Sequence, residues 1–261
     1  MNIDHAAQEH TGTTVTYHCQ YSHSLGRPME FKVYGTGGKA CLVFPCQGGR
    51  FYDFENFEMV NTLAPWLQAG KLQLFTVDSV DSQSWTPSDL PPAERTERQE
   101  QYFRYIRNEL VPQLQHWGGR DRGSLMSLGT SMGGMHAALC FLRCPDVFDT
   151  MFSISGQFDP SIFFGDYRDE KLRRNTPIEI VANLPEYSPT LDAYRRGTII
   201  CAIGQGDWEW DLLPSNRALD SLLRRRGVPA WFDYWGFDVH HEWFWWHKMI
   251  TYHFDKLMPL D

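Results

Sequence analysis

Short apolar runs closed by glycine, proline and polar turn formers alternate along this chain with longer stretches whose apolar side chains recur every three to four residues. Runs of the first kind, Ala40–Phe44, Leu72–Val77, Ser124–Leu128, Thr150–Ser155, Thr198–Ile203 and Ala230–Trp235, suit strands buried on both faces. Helical periodicity runs through residues 56–69, where Phe57, Val60, Leu63, Ala64 and Leu67 share a face and Gly70 can supply a left-handed stop. It returns in Ala93–His116, which Pro112 is expected to bend or shorten, and in Met135–Leu142, Pro214–Arg226 and Glu242–Lys256. Upstream of all these, Thr14–Tyr21 and Met29–Tyr34 flank a turn-rich segment and predict an antiparallel hairpin. Asp78–Pro92 reads as a long polar loop, and residues 156–196 as irregular chain with short helices. Strands alternating with helices in this way predict an α/β fold: a mostly parallel central sheet that opens on an antiparallel hairpin, with helices on both faces. At 261 residues without an internal repeat, one domain spanning 1–261 is expected.

Composition narrows the function classes. A hydrophobic fraction of 42% against 21% charged residues supplies a core without the excess charge that keeps a chain unfolded. The net charge of −8 repels a phosphate backbone, so nucleic acid is not an expected partner. The basic clusters Arg173-Arg174, Arg195-Arg196 and Arg224-Arg225-Arg226 read as solvated faces near helix C-termini. No run reaches the roughly 20 apolar residues that span a bilayer. The start, Met1-Asn2-Ile3-Asp4-His5, lacks the basic and apolar regions of a signal peptide. A cytoplasmic protein with no membrane partner is expected. The six cysteines are scattered without a CxxC pair or zinc-finger spacing, which predicts free thiols and no metal.

One segment changes the picture. Gly129-Thr130-Ser131-Met132-Gly133-Gly134 lies between a predicted strand and a predicted helix, the setting of a nucleophile elbow that lifts a serine hydroxyl above a sheet. Glycines two before and two after the serine are needed because side chains there would collide with the turn or the neighbouring strand. A serine hydroxyl is a weak nucleophile at neutral pH, so it needs a base within hydrogen-bond reach and an acid to orient that base, in chain order Ser, acid, His. Downstream acids near a strand end are Asp207, Glu209 and Asp211. Asp207, first after the Thr198–Ile203 strand, is the expected acid, with Asp211 as the alternative. His240 and His241 are the downstream histidines outside a helical stretch, and spacing alone leaves both open as the base. His136, His247 and His253 fall within helical stretches, where a histidine is most often packed or solvated.

Acyl chemistry also needs donors for an oxyanion. The backbone amides of Met132, which follows the nucleophile, and Gln47, in the breaker-rich loop Pro45-Cys46-Gln47-Gly48-Gly49, are the expected pair. Trp208, Trp210, Trp231, Trp235, Trp243, Trp245 and Trp246 crowd the same C-terminal loops, and most are expected in the core. Some of these rings, with Phe51, Tyr52 and Phe54, are candidates to wall an apolar pocket.

With these residues in hand the chain resembles, over nearly its whole length, the putative-esterase family of α/β-hydrolases, which includes esterase D-like enzymes and mycolyltransferases. The resemblance is carried by Phe44-Pro45-Cys46-Gln47-Gly48-Gly49-Arg50-Phe51-Tyr52, by the elbow, by Gly204-Gln205-Gly206-Asp207-Trp208-Glu209, and by His240-His241-Glu242-Trp243-Phe244-Trp245-Trp246. It departs in one place, where Pro45-Cys46 stands instead of the His-Gly of many α/β-hydrolases. The resemblance implies a catalytic histidine two residues before a tryptophan, which is His241, and esterase chemistry on a small-molecule ester without a metal or organic cofactor. Acyl transfer by the same three residues, and a binding module that has lost catalysis, are the alternatives. A homo-oligomer is compatible with the sequence.

Overall fold

The computed structural model describes residues 3–4, 8–10, 12–117 and 125–260. The leading Met1, Asn2 and His5, and Ser124 at the head of an expected strand, lie outside the described residues. The strands are β1 (Ile3–Asp4), β2 (Gln8–His10), β3 (Thr13–Ser22), β4 (Arg27–Tyr34), β5 (Lys39–Phe44), β6 (Leu72–Val77), β7 (Leu125–Thr130), β8 (Phe148–Ile154), β9 (Thr198–Ile203) and β10 (Trp231–Tyr234). All ten join one sheet in the order β1-β3-β4-β6-β5-β7-β8-β9-β10, with β2 pairing only β3. β3 and β4 form the expected antiparallel hairpin, β4 meets β6 antiparallel, and every pairing from β6 through β10 is parallel. This is the α/β-hydrolase fold.

Alternation within each parallel strand explains why these runs are apolar throughout. Ala40, Leu42 and Phe44 of β5 point into a core shared with Tyr102, Ile106, Ala137, Phe141 and Leu219. Cys41 and Val43 point to the opposite core, against Leu63, Leu67, Met249 and Phe254. The helices 92–117, 132–143 and 213–225 therefore cover one face of the sheet and the helices 59–68 and 243–257 the other, so a strand between them presents no face to water.

Several strand ends shift from expectation by one to two residues, and two helices differ for a reason that their backbone shows. The helix expected over 56–69 is a short turn, Asp53–Asn56, followed by a helix that begins only at Met59, because Glu58 takes a left-handed conformation (φ 62°) that no right-handed helix can carry through. Gly70 has the left-handed φ expected of a helix stop, 65°. Pro112 neither ends nor truncates its helix. The five residues before Val111 form a π turn, Ile106–Leu110, and the α-helix resumes at Val111 and runs through Pro112 to Trp117. The basic clusters lie in the last turns of their helices, with exposed guanidinium groups at Arg173, Arg174 and Arg224. All six cysteines are free. No helix among the described residues is long and apolar enough to cross a membrane.

Candidate active site

Because β5 through β10 run parallel, the loops that leave β5, β6, β7, β8, β9 and β10 all emerge at one edge of the sheet. β5 lies between β6 and β7, so the chain reverses its direction of travel across the sheet between β5 and β7. Crevices at such a switch point are where open α/β sheets bind ligands. The loop Pro45–Gly49 and the turn at Ser131 stand on either side of it.

Ser131 has φ 57° and ψ −125°, a strained conformation for a residue with a side chain. Its backbone N–H donates to Ile154 C=O at 2.8 Å, tying the turn to β8. The flanking glycines are sterically required. A Cβ at Gly129 would overlap the Gly133 backbone, one at Gly133 would overlap the carbonyl groups of Phe44 and Pro45, and one at Gly134 would press on Ser153 Oγ. The helix that begins at Met132 leaves its first backbone amides without intrahelical acceptors, which gives that end of the crevice donors and a positive dipole end.

His241 and Ser131 are brought together: His241 Nε2 lies 2.9 Å from Ser131 Oγ. The acid that meets the other ring nitrogen is Glu209, whose Oε2 is 3.3 Å from His241 Nδ1. The expectation of Asp207 is corrected here. Its side chain is 66% exposed and its carboxylate is 3.8 Å from the Nδ1 of His240, the neighbouring histidine. Asp207 serves by its backbone instead: its C=O accepts the N–H of His241 at 3.1 Å and its N–H donates to His240 Nδ1 at 2.9 Å. Asp211, the alternative, faces a separate cavity of about 480 Å³ that it shares with Gln157, Asp159 and Ser215. The loop geometry gives the reason. Gly204 and Gly206 pack so closely on Val239 and His240 that no Cβ fits at either, so the first residues after β9 are spent on the histidine loop. The chain then turns through a left-handed Trp208 (φ 67°) and aims Glu209 inward.

Glu209 is wholly buried, and its second oxygen accepts from Ser155 Oγ at 2.5 Å. Ser155 follows β8 on the same edge and accepts in turn from the indole N–H of Trp246 at 3.1 Å. That indole also packs edge-on against the His241 ring, with centroids 4.9 Å apart. Ser155 was not among the residues expected to act on the site, and Trp246 was expected there only as a core or pocket-wall ring. The one legible signal for Ser155 is its place just beyond a strand end on the active edge.

The loop after β5 has several anchors. Gly49 N–H closes a turn on Cys46 C=O at 2.9 Å, and Gly48 is left-handed (φ 67°). Arg50 donates through Nε to Asp78 at 2.7 Å and through Nη2 to Glu30 at 2.5 Å, while Phe51 N–H donates to the same Asp78 oxygen at 3.0 Å. Gln47 is exposed on this loop. Burial pushes the Cys46 thiol up to about 12, so it is protonated at neutral pH and supplies no thiolate nucleophile. Of the seven tryptophans in the C-terminal loops, Trp246 is buried in the core and Trp235, Trp243 and Trp245 pack against it, as expected of most of them, while Trp208 and Trp210 are 75% and 60% exposed. Phe51 and Phe54 are packed inside rather than lining open space.

Comparison with known proteins bears on the fold and the family. Among curated proteins none matches the chain in sequence. Similar solved structures include a ferulic acid esterase (TM-score 0.72, 15% identity, covering 95% of this chain and 98% of that one). Another is an S-formylglutathione hydrolase from Agrobacterium tumefaciens (0.72, 15%, 96% of each chain). A third is FphF, a fluorophosphonate-binding serine hydrolase of Staphylococcus aureus (0.66, 14%, 95% and 99%). At these identities the likeness is one of fold. The sequence profile of the family described as "Putative esterase" matches residues 22–256. With that match over most of its length, the chain belongs to the putative-esterase family of α/β-hydrolases.

Proposed function

We propose that the protein cleaves small-molecule carboxylic esters through an acyl-enzyme formed on Ser131, with His241 as base and Glu209 as the acid that orients it. The observation that carries this reading is the unbroken line of contacts from Ser131 Oγ to His241 to the buried Glu209. His241 Nε2 takes the hydroxyl proton as Ser131 attacks the ester carbonyl. Its Nδ1–H donates to Glu209, which holds the tautomer and stabilises the imidazolium that forms. The amides of Met132 and Gln47 receive the charge that develops on the carbonyl oxygen. His241 then returns the proton to the leaving alcohol, and water admitted to the same position repeats the sequence to release the acid.

The test is hydrolysis of p-nitrophenyl esters graded by acyl length, with fluorophosphonate labelling in parallel. Ser131→Ala is expected to lower kcat by a factor on the order of a million, as a triad acting as a unit loses its function with its nucleophile, and to abolish labelling. A Ser131→Ala protein that turns over ester at the parent rate sinks the proposal. Adding a competing alcohol to the same assay distinguishes hydrolysis, which yields only free acid, from acyl transfer, which yields the new ester.

A further inference from the structure

Behind the loop that carries Gln47 lies a second acid–imidazole pair, which the reaction just described does not use. Asp81 comes from the loop after β6, and His136 from the second turn of the helix Met132–Arg143. Both are removed from water, at 0% and 2% exposure, and Asp81 Oδ1 is 2.9 Å from His136 Nε2. Phe44, Trp85 and Tyr102 pack around the imidazole. Burying two ionisable groups among aromatic rings is costly, and hydrophobic residues of similar volume would fill the same space without that cost. The pair therefore calls for a reason other than filling the core.

The other oxygen of the Asp81 carboxylate supplies one. Oδ2 faces the backbone N–H of Gly48 at 3.4 Å, and Gly48 is the residue that follows Gln47. On the other side of Gln47, Cys46 Sγ is 3.0 Å from Thr130 Oγ1. The Gln47 amide thus lies in a turn closed by Gly49 N–H on Cys46 C=O and flanked by two side-chain ties, and both of these run to the strand–turn–helix unit that presents the nucleophile. One goes from Cys46 to Thr130, the residue before Ser131. The other goes from Gly48 through Asp81 to His136 on the helix after Ser131. Gln47 and Gly48 are themselves exposed, so beyond the backbone bond that closes the turn these ties, not side-chain packing, relate it to the nucleophile.

We propose that Asp81 and His136 are a positioning pair that fixes the aim of the Gln47 amide relative to Ser131. The inference rests on the esterase reading, in which that amide receives the oxyanion. A donor of this kind acts on charge that appears only on the way to the tetrahedral intermediate, so losing its aim slows turnover and leaves substrate binding nearly as it was.

The experiment is steady-state hydrolysis of a p-nitrophenyl ester by Asp81→Ala and Asp81→Asn, with inhibition by phenylboronic acid as the probe of tetrahedral-adduct binding. Loss of a single oxyanion donor costs about 100- to 1000-fold in kcat. Asp81→Ala is expected to approach that range with KM changed by less than about 3-fold, and boronate inhibition should weaken in parallel. Asp81→Asn can still accept from Gly48 through its carbonyl oxygen and donate to His136, so it should recover most of the lost kcat. If Asp81→Ala does not fold, the same comparison is made between His136→Phe, which cannot bond Asp81, and His136→Gln, which can. A folded Asp81→Ala enzyme with parental kcat, an equal loss in kcat and boronate affinity for Asp81→Asn, or a loss confined to thermal stability overturns the proposal. Ser131→Ala in the same assay separates the two readings: activity that survives it refutes the esterase mechanism, whereas Ser131-dependent activity indifferent to Asp81 refutes only the positioning role.

Discussion

Glu209 and Asp207 lie two residues apart on one loop, yet water reaches the Asp207 carboxylate freely and the Glu209 carboxylate not at all. A carboxylate held in a low-dielectric site acts on the imidazole beside it far more strongly than one screened by solvent. Glu209 is also kept in place by Ser155, whose hydroxyl is itself held by the Trp246 indole. Glu209→Gln is therefore expected to lower kcat by about 1000- to 10,000-fold, the scale seen when a triad acid is replaced by its amide and the imidazole is left in the wrong tautomer. Asp207→Asn changes an exposed side chain and keeps both backbone contacts to the histidines, so its kcat should stay within a few-fold of the parent. Ester hydrolysis by the purified variants checks both, and the opposite ranking would return the role to Asp207. The residue scale is where sequence reading falls short. Order along the chain and loop setting are enough to find Ser131 and the histidine pair. The acid depends on which side chain of a tight loop turns inward, and that is decided by the close packing of Gly204 and Gly206 on Val239 and His240 and by the left-handed Trp208.

At the scale of elements, the turn between β7 and its helix is built by exclusion: three glycines sit where any side chain would strike backbone or a buried serine. Gly133→Ala forces a methyl group into the carbonyl groups of Phe44 and Pro45, which belong to the very strand end that opens the Gln47 loop. Overpacking of this kind costs about 1–3 kcal/mol. For a chain of this size that is a fall in Tm on the order of 3–10 °C, accompanied by loss of fluorophosphonate labelling as the elbow and the loop are pushed apart. Gly37→Ala is the control. A Cβ there meets nothing within 4 Å and the backbone is not left-handed, so melting should be unchanged within about 0.5 kcal/mol. Elements of this chain were legible wherever burial on both sides of the sheet imposed a continuous apolar run, as in Leu72–Val77 and Thr198–Ile203, whose bounds are those expected. They were less legible where a single backbone conformation decides the end. The left-handed Glu58 starts a helix three residues late, and the π turn before Pro112 lets a helix pass a residue that normally stops it.

On the scale of the whole molecule, the six consecutive parallel strands bring Asp81, Ser131, Ser155, Glu209 and His241 to one edge from five different loops, so the site is only as firm as the layers that hold the sheet. The C-terminal helix Trp243–Leu257 is one of those layers, since it carries Trp246 beside the site at one end and His253 under the sheet at the other. His253 has no exposed surface; its ring packs on Phe152 and Trp231, and its Nδ1–H donates to Met249 C=O at 2.7 Å. Burial lowers its pKa below the ordinary 6.5, against the opposing pull of the Met249 carbonyl and Asp233, and burial lowers that of His247 on the same helix as well. The sign follows from proton counting. Well above pH 6.5 neither the folded nor the unfolded chain protonates these rings, and the stability associated with keeping them neutral is fully present. As pH falls below 6.5 the unfolded chain takes up protons that the folded chain refuses, so stability is lost until the folded-state values are passed. Each ring adds at most one proton to this slope, about 1.4 kcal/mol per pH unit. Replacing His253 with Phe keeps an aromatic ring against Phe152 and Trp231, leaves Asp233 its bond from the Trp235 indole, and removes one titrating group. Urea unfolding measured from pH 8 to pH 5 should then show a shallower decline for His253→Phe than for the parent below pH 6.5, with parallel curves above it. Equal slopes in the acid range would mean that the buried imidazole takes no part in holding the helix to the sheet as pH falls.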